Sequence, residues 1–512
     1  MRRTACPTHP SVVPAPSPAQ KKALRVRWQV GRGRPTYVTS SFLTRDVGKL
    51  STAIFCLLLT GAIAMPDPVL PPPETRGVWY HCGSANLLPD QGAVYSGPMA
   101  TYCAWHRPMA VYSPETNRSY FVYGSAGNRP TISYYDHAAG TWAYPVVIGE
   151  NPDGDAHRNP TLLIDDEGYL YMFWGAHGHQ SFVHRSMRPQ DISEWEERAP
   201  LEETGASYPQ PFMLREGEIW VSYRKAPGWR GRYSTDGART WSEPVDIAAF
   251  GVDPESRGAT EFAIYGSTVG GEGPYPRSLH FAWSRLGGGT PEEIATKHLW
   301  GRRYNLYYTC SDDGGRTWHR SDGNACEMPI DEEHAEKIYD SGTRGIWIKD
   351  IQLDLAGNPL ILFLEGEVAT FRAWWKVARL TPEGWRISDV TESDHMYDEG
   401  ALLVYAEDDI RVWGPSGDNQ PHEDGGEIEE WLSTDGGDTW QFTRRITDGS
   451  QYSHDHVKIV MGHRDGPGDV RAIWSYGDSR KPPETEDVRL YYFGDGMDRG
   501  REIPFPAGPE ED

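Results

Sequence analysis

The chain has 512 residues, with 50 Lys+Arg against 73 Asp+Glu, and is rich in Gly (55), Tyr (27) and Trp (20). That acidic balance argues against nucleic acid and anionic membrane as partners, and requires any acidic ligand to meet a local basic site. Aromatic, glycine-rich composition with few long helical patterns favours an all-β sandwich, barrel or propeller.

Residues 1–50 are basic and Pro/Ser-rich. An apolar run, 51–64, follows Lys49 and closes on Ala62-Ile63-Ala64, the small-residue spacing of a cleavage site. This reads as a secretory signal, too short for a comfortable membrane span, so the expected location is secreted or periplasmic. The long basic prefix is either an unusually long n-region or the mark of a true start further in, near Val47, the preferred reading. The expected divisions are a leader over 1–65, a Pro-rich linker over 66–75, one catalytic propeller over 76–498 and a loose tail over 499–512. Removing the leader leaves 40 basic and 72 acidic residues, a net charge of −32. Cys82, Cys103, Cys310 and Cys326 remain, and export permits disulfides, including one from Cys82 to Cys103.

Along the rest of the chain, seven units of four strands are predicted. Innermost strands begin near His106, His157, Tyr208, Glu261, Lys349, Glu399 and His454. A second alternating run follows each, as in 169–174, 218–223 and 360–364, after turn signals such as Asp165-Asp-Glu-Gly168. The repeat of roughly fifty residues suits a propeller blade. Arg489–Phe493 would complete the last one. Three segments share the pattern Ser-x-Asp-x-Gly-x-Thr-Trp: Ser234–Trp241, Ser311–Trp318 and Ser433–Trp440, with Ala238 replacing one glycine. Asp236, Asp313 and Asp435 can accept bonds from turn N–H groups, and the glycines permit positive φ. These Asp-boxes are hairpins, and they specify fold rather than function.

Blade geometry sorts residues by face. The first strand starts, and the second ends, on the face opposite the hairpin between strands three and four, where the boxes lie. His157 starts a first strand and His177 ends the following second strand; Tyr208 and Arg224 do the same one blade later. These four groups are therefore expected at one mouth. His, His, Tyr and Arg together suit elimination from a uronic acid. Arg224 would neutralise the carboxylate and stabilise the enolate-like transition state. His157 would take the C5 proton, Tyr208 would protonate the leaving O4 or act as a base if nearby cations favour its phenolate, and His177 would share the neutralising role or orient the sugar. No cofactor is required. His106, Glu261 and Lys349 are expected to touch substrate, Glu399, His454 and His456 could also line the channel, and His179 is expected to be solvated.

The run from His106 to Trp241 resembles the Asp-box propeller polysaccharide lyases of the ulvan-lyase-like group. The shared features are Asp155-x-His157-x-Asn-Pro160, Ile164-Asp-Asp-Glu-Gly168, Gly175-Ala-His177, Ser207-Tyr-Pro209, Tyr223-Arg224 and the first Asp-box. The resemblance implies a seven-bladed propeller that cleaves next to uronic acid, often where rhamnose adjoins it. It also supports the roles of His157, Tyr208 and Arg224. The partner implied is a uronic-acid-containing polysaccharide or oligosaccharide. Related folds host rhamnosidases, so a glycoside hydrolase is one alternative, although no Phe-Arg-Ile-Pro segment of the sialidase kind is present. A non-catalytic carbohydrate-binding propeller is another. Finally, His280, Cys310 and Cys326 fall near the box-side end of the fourth blade. They could hold a structural zinc, or the two thiols could form a disulfide or stay unlinked.

Overall fold

Alternating runs with polar turns pair here as short antiparallel meanders. The computed structural model describes residues 70–84, 94–214, 217–225, 228–249, 265–270, 277–286, 303–367, 372–416, 424–480 and 487–508. Among them are five separate four-stranded sheets and a longer sheet that holds the first and last blades. The second blade is Thr161–Ile164, Leu170–Gly175, Ser181–Ser186 and Trp195–Arg198; the third is Ser207–Leu214, Glu218–Lys225, Gly228–Ser234 and Val245–Ala249. The first strands of successive blades touch in a closed circuit: Ala110–Ser113, Thr161–Ile164, Ser207–Leu214, Tyr265–Gly270, Gly345–Leu353, Ala401–Ala406 and Ser453–Met461. The circuit closes where Val460 and Met461 pair in parallel with Ala110 and Val111. This is the seven-bladed propeller expected, a solution that leaves only short sheet edges open.

All three Asp-boxes lie between third and fourth strands, on the hairpin expected. In the second box Asp313 accepts the backbone N–H groups of Arg316 (3.0 Å) and Thr317 (2.9 Å) and the Thr317 hydroxyl (2.7 Å). Gly315 sits at φ +81°, and a Cβ there would lie 2.5 Å from the Trp220 ring, so the glycine serves both the turn and the packing between blades. Ala238 holds the equivalent place in the first box at φ +61°.

Several expected boundaries shift. His106 and His157 fall four residues before their strands, and His157 lies in a 3-10 turn, Ala156–Arg158. Lys349 falls in the middle of Gly345–Leu353, beside a register shift between Ile348 and Asp350. The chain beyond 498 is not all loose: Arg501–Glu502 forms the outer strand of the last blade. The Pro-rich stretch packs from Pro73 onward, where the Glu74 carbonyl accepts the Tyr123 hydroxyl. Residues 1–69, with the expected leader, and Glu261 lie outside the described residues. No helix among the described residues is long and apolar enough to cross a membrane.

The channel is filled with charge rather than open. Arg107 pairs with Asp350 at 2.7 Å and donates to the Ile351 carbonyl at 2.9 Å. Glu399 lies 3.1 Å from His456 and 3.6 Å from Lys458, all of them buried.

Candidate functional site

The site is built on two blade ends. Asp155 caps the 3-10 turn: its Oδ1 accepts the backbone N–H of His157 at 2.9 Å, so the turn presents His157 at the mouth. The second strand of that blade ends at Gly175, after which Ala176 and His177 adopt φ of +70° and +48°. The His177 N–H bonds the Ala206 carbonyl at 2.8 Å, which ties this turn to the start of the next blade. There Tyr208 also sits at positive φ, +57°. Positive φ at a non-glycine residue costs on the order of 1–3 kcal/mol, and strain of this kind clusters at functional sites.

These local conformations bring the four expected groups together. The His157 and His177 rings stack with centroids 4.1 Å apart and 13° between planes. The Tyr208 ring centroid lies 6.3 Å from that of His157 and 6.4 Å from that of His177. Arg224 sits over the Tyr208 ring at 4.6 Å and donates to the Ser207 hydroxyl at 3.4 Å. The His157 side chain keeps 16% exposure and that of His177 31%. Burial lowers His157 to about 4, and the neighbouring His177 and Arg224 push the same way against the Asp155 hydrogen bond. The imidazole is therefore neutral at neutral pH and able to accept a proton.

Two members were not assigned from sequence. Asp155 joins both imidazoles: Oδ1 is 2.5 Å from His157 Nδ1, and Oδ2 is 2.7 Å from His177 Nδ1. Burial raises the Asp155 carboxyl, but the two histidines hold it well below the usual carboxylate range. Tyr102 is the other; its hydroxyl lies 3.0 Å from His157 Nε2. The Asp-x-His spacing was a usable signal for Asp155. Nothing local marks Tyr102, which comes from the segment before the first blade.

The other expected contacts fall elsewhere. His106 is fully buried: Nδ1 accepts the Cys103 N–H at 3.0 Å, and Nε2 lies 3.1 Å from the His157 carbonyl, so the ring braces the site from beneath. Lys349 is 5% exposed, with its ammonium bonded to the Met396 carbonyl at 3.1 Å, inside the filled channel rather than at the mouth. Glu399, His454 and His456 are buried with it. His179 is exposed, as expected.

Asp155, His157 and His177 are the one trio of potential metal-binding groups that converges among the described residues. Their carboxylate-to-ring contacts are direct hydrogen bonds. Of the expected zinc trio, His280 and Cys310 are cross-strand partners. His280 Nδ1 bonds the Tyr308 hydroxyl at 2.7 Å, Cys310 Sγ lies 3.3 Å from His319 Nδ1, and Cys326 Sγ lies 3.8 Å from the Thr309 hydroxyl. Cys103, Cys310 and Cys326 are unlinked thiols, so neither bridge considered from sequence forms at these residues.

Comparison with known proteins places this geometry in context. Residues 101–393 match a family described as "BNR repeat-containing family member". An ulvan lyase of Nonlabens ulvanivorans is 25% identical over 429 residues, which covers 73% of this chain and 86% of that protein. An ulvan lyase, PL25, of Pseudoalteromonas sp. (strain PLSV) is 26% identical over 278 residues, or 48% of this chain and 56% of that one. A solved PL25 ulvan lyase bound to -[GlcA(1-4)Rha3S]- superposes with a TM-score of 0.66 at 20% identity, and covers 78% of this chain and 93% of its own.

Proposed function

This chain belongs to the BNR repeat-containing family, and from that premise we propose that it is a polysaccharide lyase that cleaves beside a uronic acid by β-elimination. The observation that carries the reading is the convergence at one mouth of two imidazoles, a phenol and a guanidinium. The ulvan lyase relatives point to the same class, and glucuronate next to a sulfated rhamnose is the substrate they suggest.

The chemistry follows from the residue types. The proton at C5 of the uronate is acidic only when charge on the adjacent carboxylate is neutralised. Arg224 supplies a fixed, permanently charged fork for that carboxylate. The stacked histidine pair takes the C5 proton; the electron pair forms the C4=C5 double bond, and the C4–O4 bond breaks. Tyr208 delivers a proton to the departing O4. The guanidinium lies 4.6 Å over the Tyr208 ring, which holds the phenol beside the carboxylate-binding cation. The chain's acidic surface repels a polyanion at long range, and Arg224 is the local cation that offsets this at the mouth. The apolar run over 51–64 supports action outside the cytoplasm.

The test is an absorbance assay on uronate polysaccharides, with glucuronate–rhamnose polymers first. Elimination leaves an ultraviolet-absorbing unsaturated uronate at the new non-reducing end. The expected result is that signal from the wild type and a loss of about 10²–10³-fold in kcat/KM for Arg224→Ala with the fold retained. New reducing ends without the absorbance would show a hydrolase instead. Binding with neither product would show a carbohydrate-binding propeller.

A further inference from the structure

One carboxylate binds the two histidines alike, and what differs is the surroundings of their far ring nitrogens. Asp155 divides its oxygens between them, Oδ1 to His157 Nδ1 and Oδ2 to His177 Nδ1. The carboxylate is itself fixed. Its Oδ1 also accepts the His157 backbone N–H, its own N–H bonds the Asp153 side chain at 3.0 Å, and its carbonyl accepts the Asn128 side chain. An ionised carboxylate only accepts hydrogen bonds, so each ring must carry its proton on Nδ1. In water a free imidazole prefers the opposite tautomer. Nε2 on each ring is then a bare lone pair on the far side from Asp155.

The two lone pairs have different fates. His157 Nε2 lies 3.0 Å from the Tyr102 hydroxyl, so it is held by a phenol that is itself buried. His177 Nε2 makes no hydrogen bond among the described residues, and its side chain is about twice as exposed as that of His157. Resting on the lyase reading above, we propose that Asp155 is a positioning residue that locks both histidines as Nδ1–H tautomers, leaving His177 Nε2 to exchange protons with the sugar while Tyr102 holds His157 in place.

In this arrangement the proton taken from C5 arrives at His177 Nε2, and the resulting imidazolium is stabilised by the carboxylate already bonded to its Nδ1–H. No proton needs to pass through Asp155, which stays ionised throughout. The stacked His157 ring remains neutral, since two cationic rings 4.1 Å apart would repel.

The experiment uses the whole chain labelled with nitrogen-15 at histidine, with one-residue substitutions to assign the signals. Nitrogen NMR distinguishes protonated Nδ1 from protonated Nε2 without any substrate. In the wild type, His157 and His177 are expected to show the Nδ1–H pattern at neutral pH. In Asp155→Asn, at least one ring is expected to change to Nε2–H, because the amide can accept from one ring nitrogen but donates to the other. On a polymer the wild type cleaves, Asp155→Asn is expected to lower kcat by about 10²–10⁴-fold with KM changed little, as for a base left in the wrong tautomer. A purely structural role would lower the amount of folded protein and leave the tautomers of the folded fraction unchanged. Nε2–H signals on both rings in the wild type, or unchanged tautomers and full kcat in Asp155→Asn, would overturn the proposal. If the wild type cleaves no uronate polymer, the lyase reading falls by itself. The tautomers of the wild type and of Asp155→Asn still report whether Asp155 sets them.

Discussion

Two clusters of acid and imidazole sit within this propeller, and they behave differently. At the mouth, Asp155 serves His157 and His177, with side chains 12%, 16% and 31% exposed. In the channel, Glu399 serves His456 and Lys458, with side chains 4%, 1% and 9% exposed. The residue types are similar, and burial distinguishes them. The channel cluster is buried among the first strands, where the Lys458 ammonium also donates to the Cys103 carbonyl at 2.6 Å. Burial raises the Glu399 carboxyl, but Lys458, His456 and Lys349 hold it well below the usual carboxylate range. The comparison teaches that a cluster of titratable groups becomes a site only when one of its atoms reaches solvent.

Substitution can break this distinction. Glu399→Ala should lower stability by about 3–5 kcal/mol, because it leaves buried lysine charge unpaired. Arg224→Ala, by contrast, should leave the denaturation midpoint nearly unchanged while activity falls. Urea unfolding of both variants checks the pair. Equal stability for the two would mean that the channel cluster is not a structural ion network.

The pH dependence of stability sharpens it. His106, His157, His280, His395, His454 and His463 are all lowered, chiefly by burial, to between about 3 and about 4. Between those values and the ordinary 6.5, the unfolded chain binds protons that the folded chain refuses. Stability therefore rises with pH through this window and is lost as pH falls through it, by about 1.4 kcal/mol per pH unit for each such histidine. Melting temperature should be level above about pH 7 and drop steadily toward pH 4. A flat profile across that window would contradict the neutral, buried imidazoles.

The smallest expected effect concerns strain. His177, Tyr208 and Ala238 are all non-glycine residues at positive φ, but only the first two belong to the mouth. Ala238 occupies a box position where the other copies carry glycine. Ala238→Gly should gain about 0.5 kcal/mol, since relief of left-handed strain outweighs the added freedom of the unfolded chain. Activity should not change. Thermal unfolding of that variant, with turnover measured alongside, separates strain that serves the site from strain that does not.

Much of the architecture is legible in the sequence. The boxes announced third-to-fourth hairpins because their logic is local: an aspartate, two turn N–H groups and a glycine within eight residues. The spacing of His157 to His177 and of Tyr208 to Arg224 encoded a hairpin down and back, so the mouth constellation could be read as well. Lys349 was misplaced because its strand begins four residues earlier than its alternation suggested, at Gly345, which turns the expected mouth residue into a channel residue. His106 was misread for a related reason. It precedes its strand and turns inward, where the Cys103 N–H and the His157 carbonyl claim both of its nitrogens.

The sequence by itself determined the repeat, the hairpins and which strand ends share a face, because these depend on side-chain period and turn chemistry within a few dozen residues. Only the tertiary structure decided which polar groups reach solvent and which imidazole nitrogen is left bare. Both depend on partners brought from distant segments, such as Tyr102 to His157 and Lys458 to Glu399, and no local pattern carries that information.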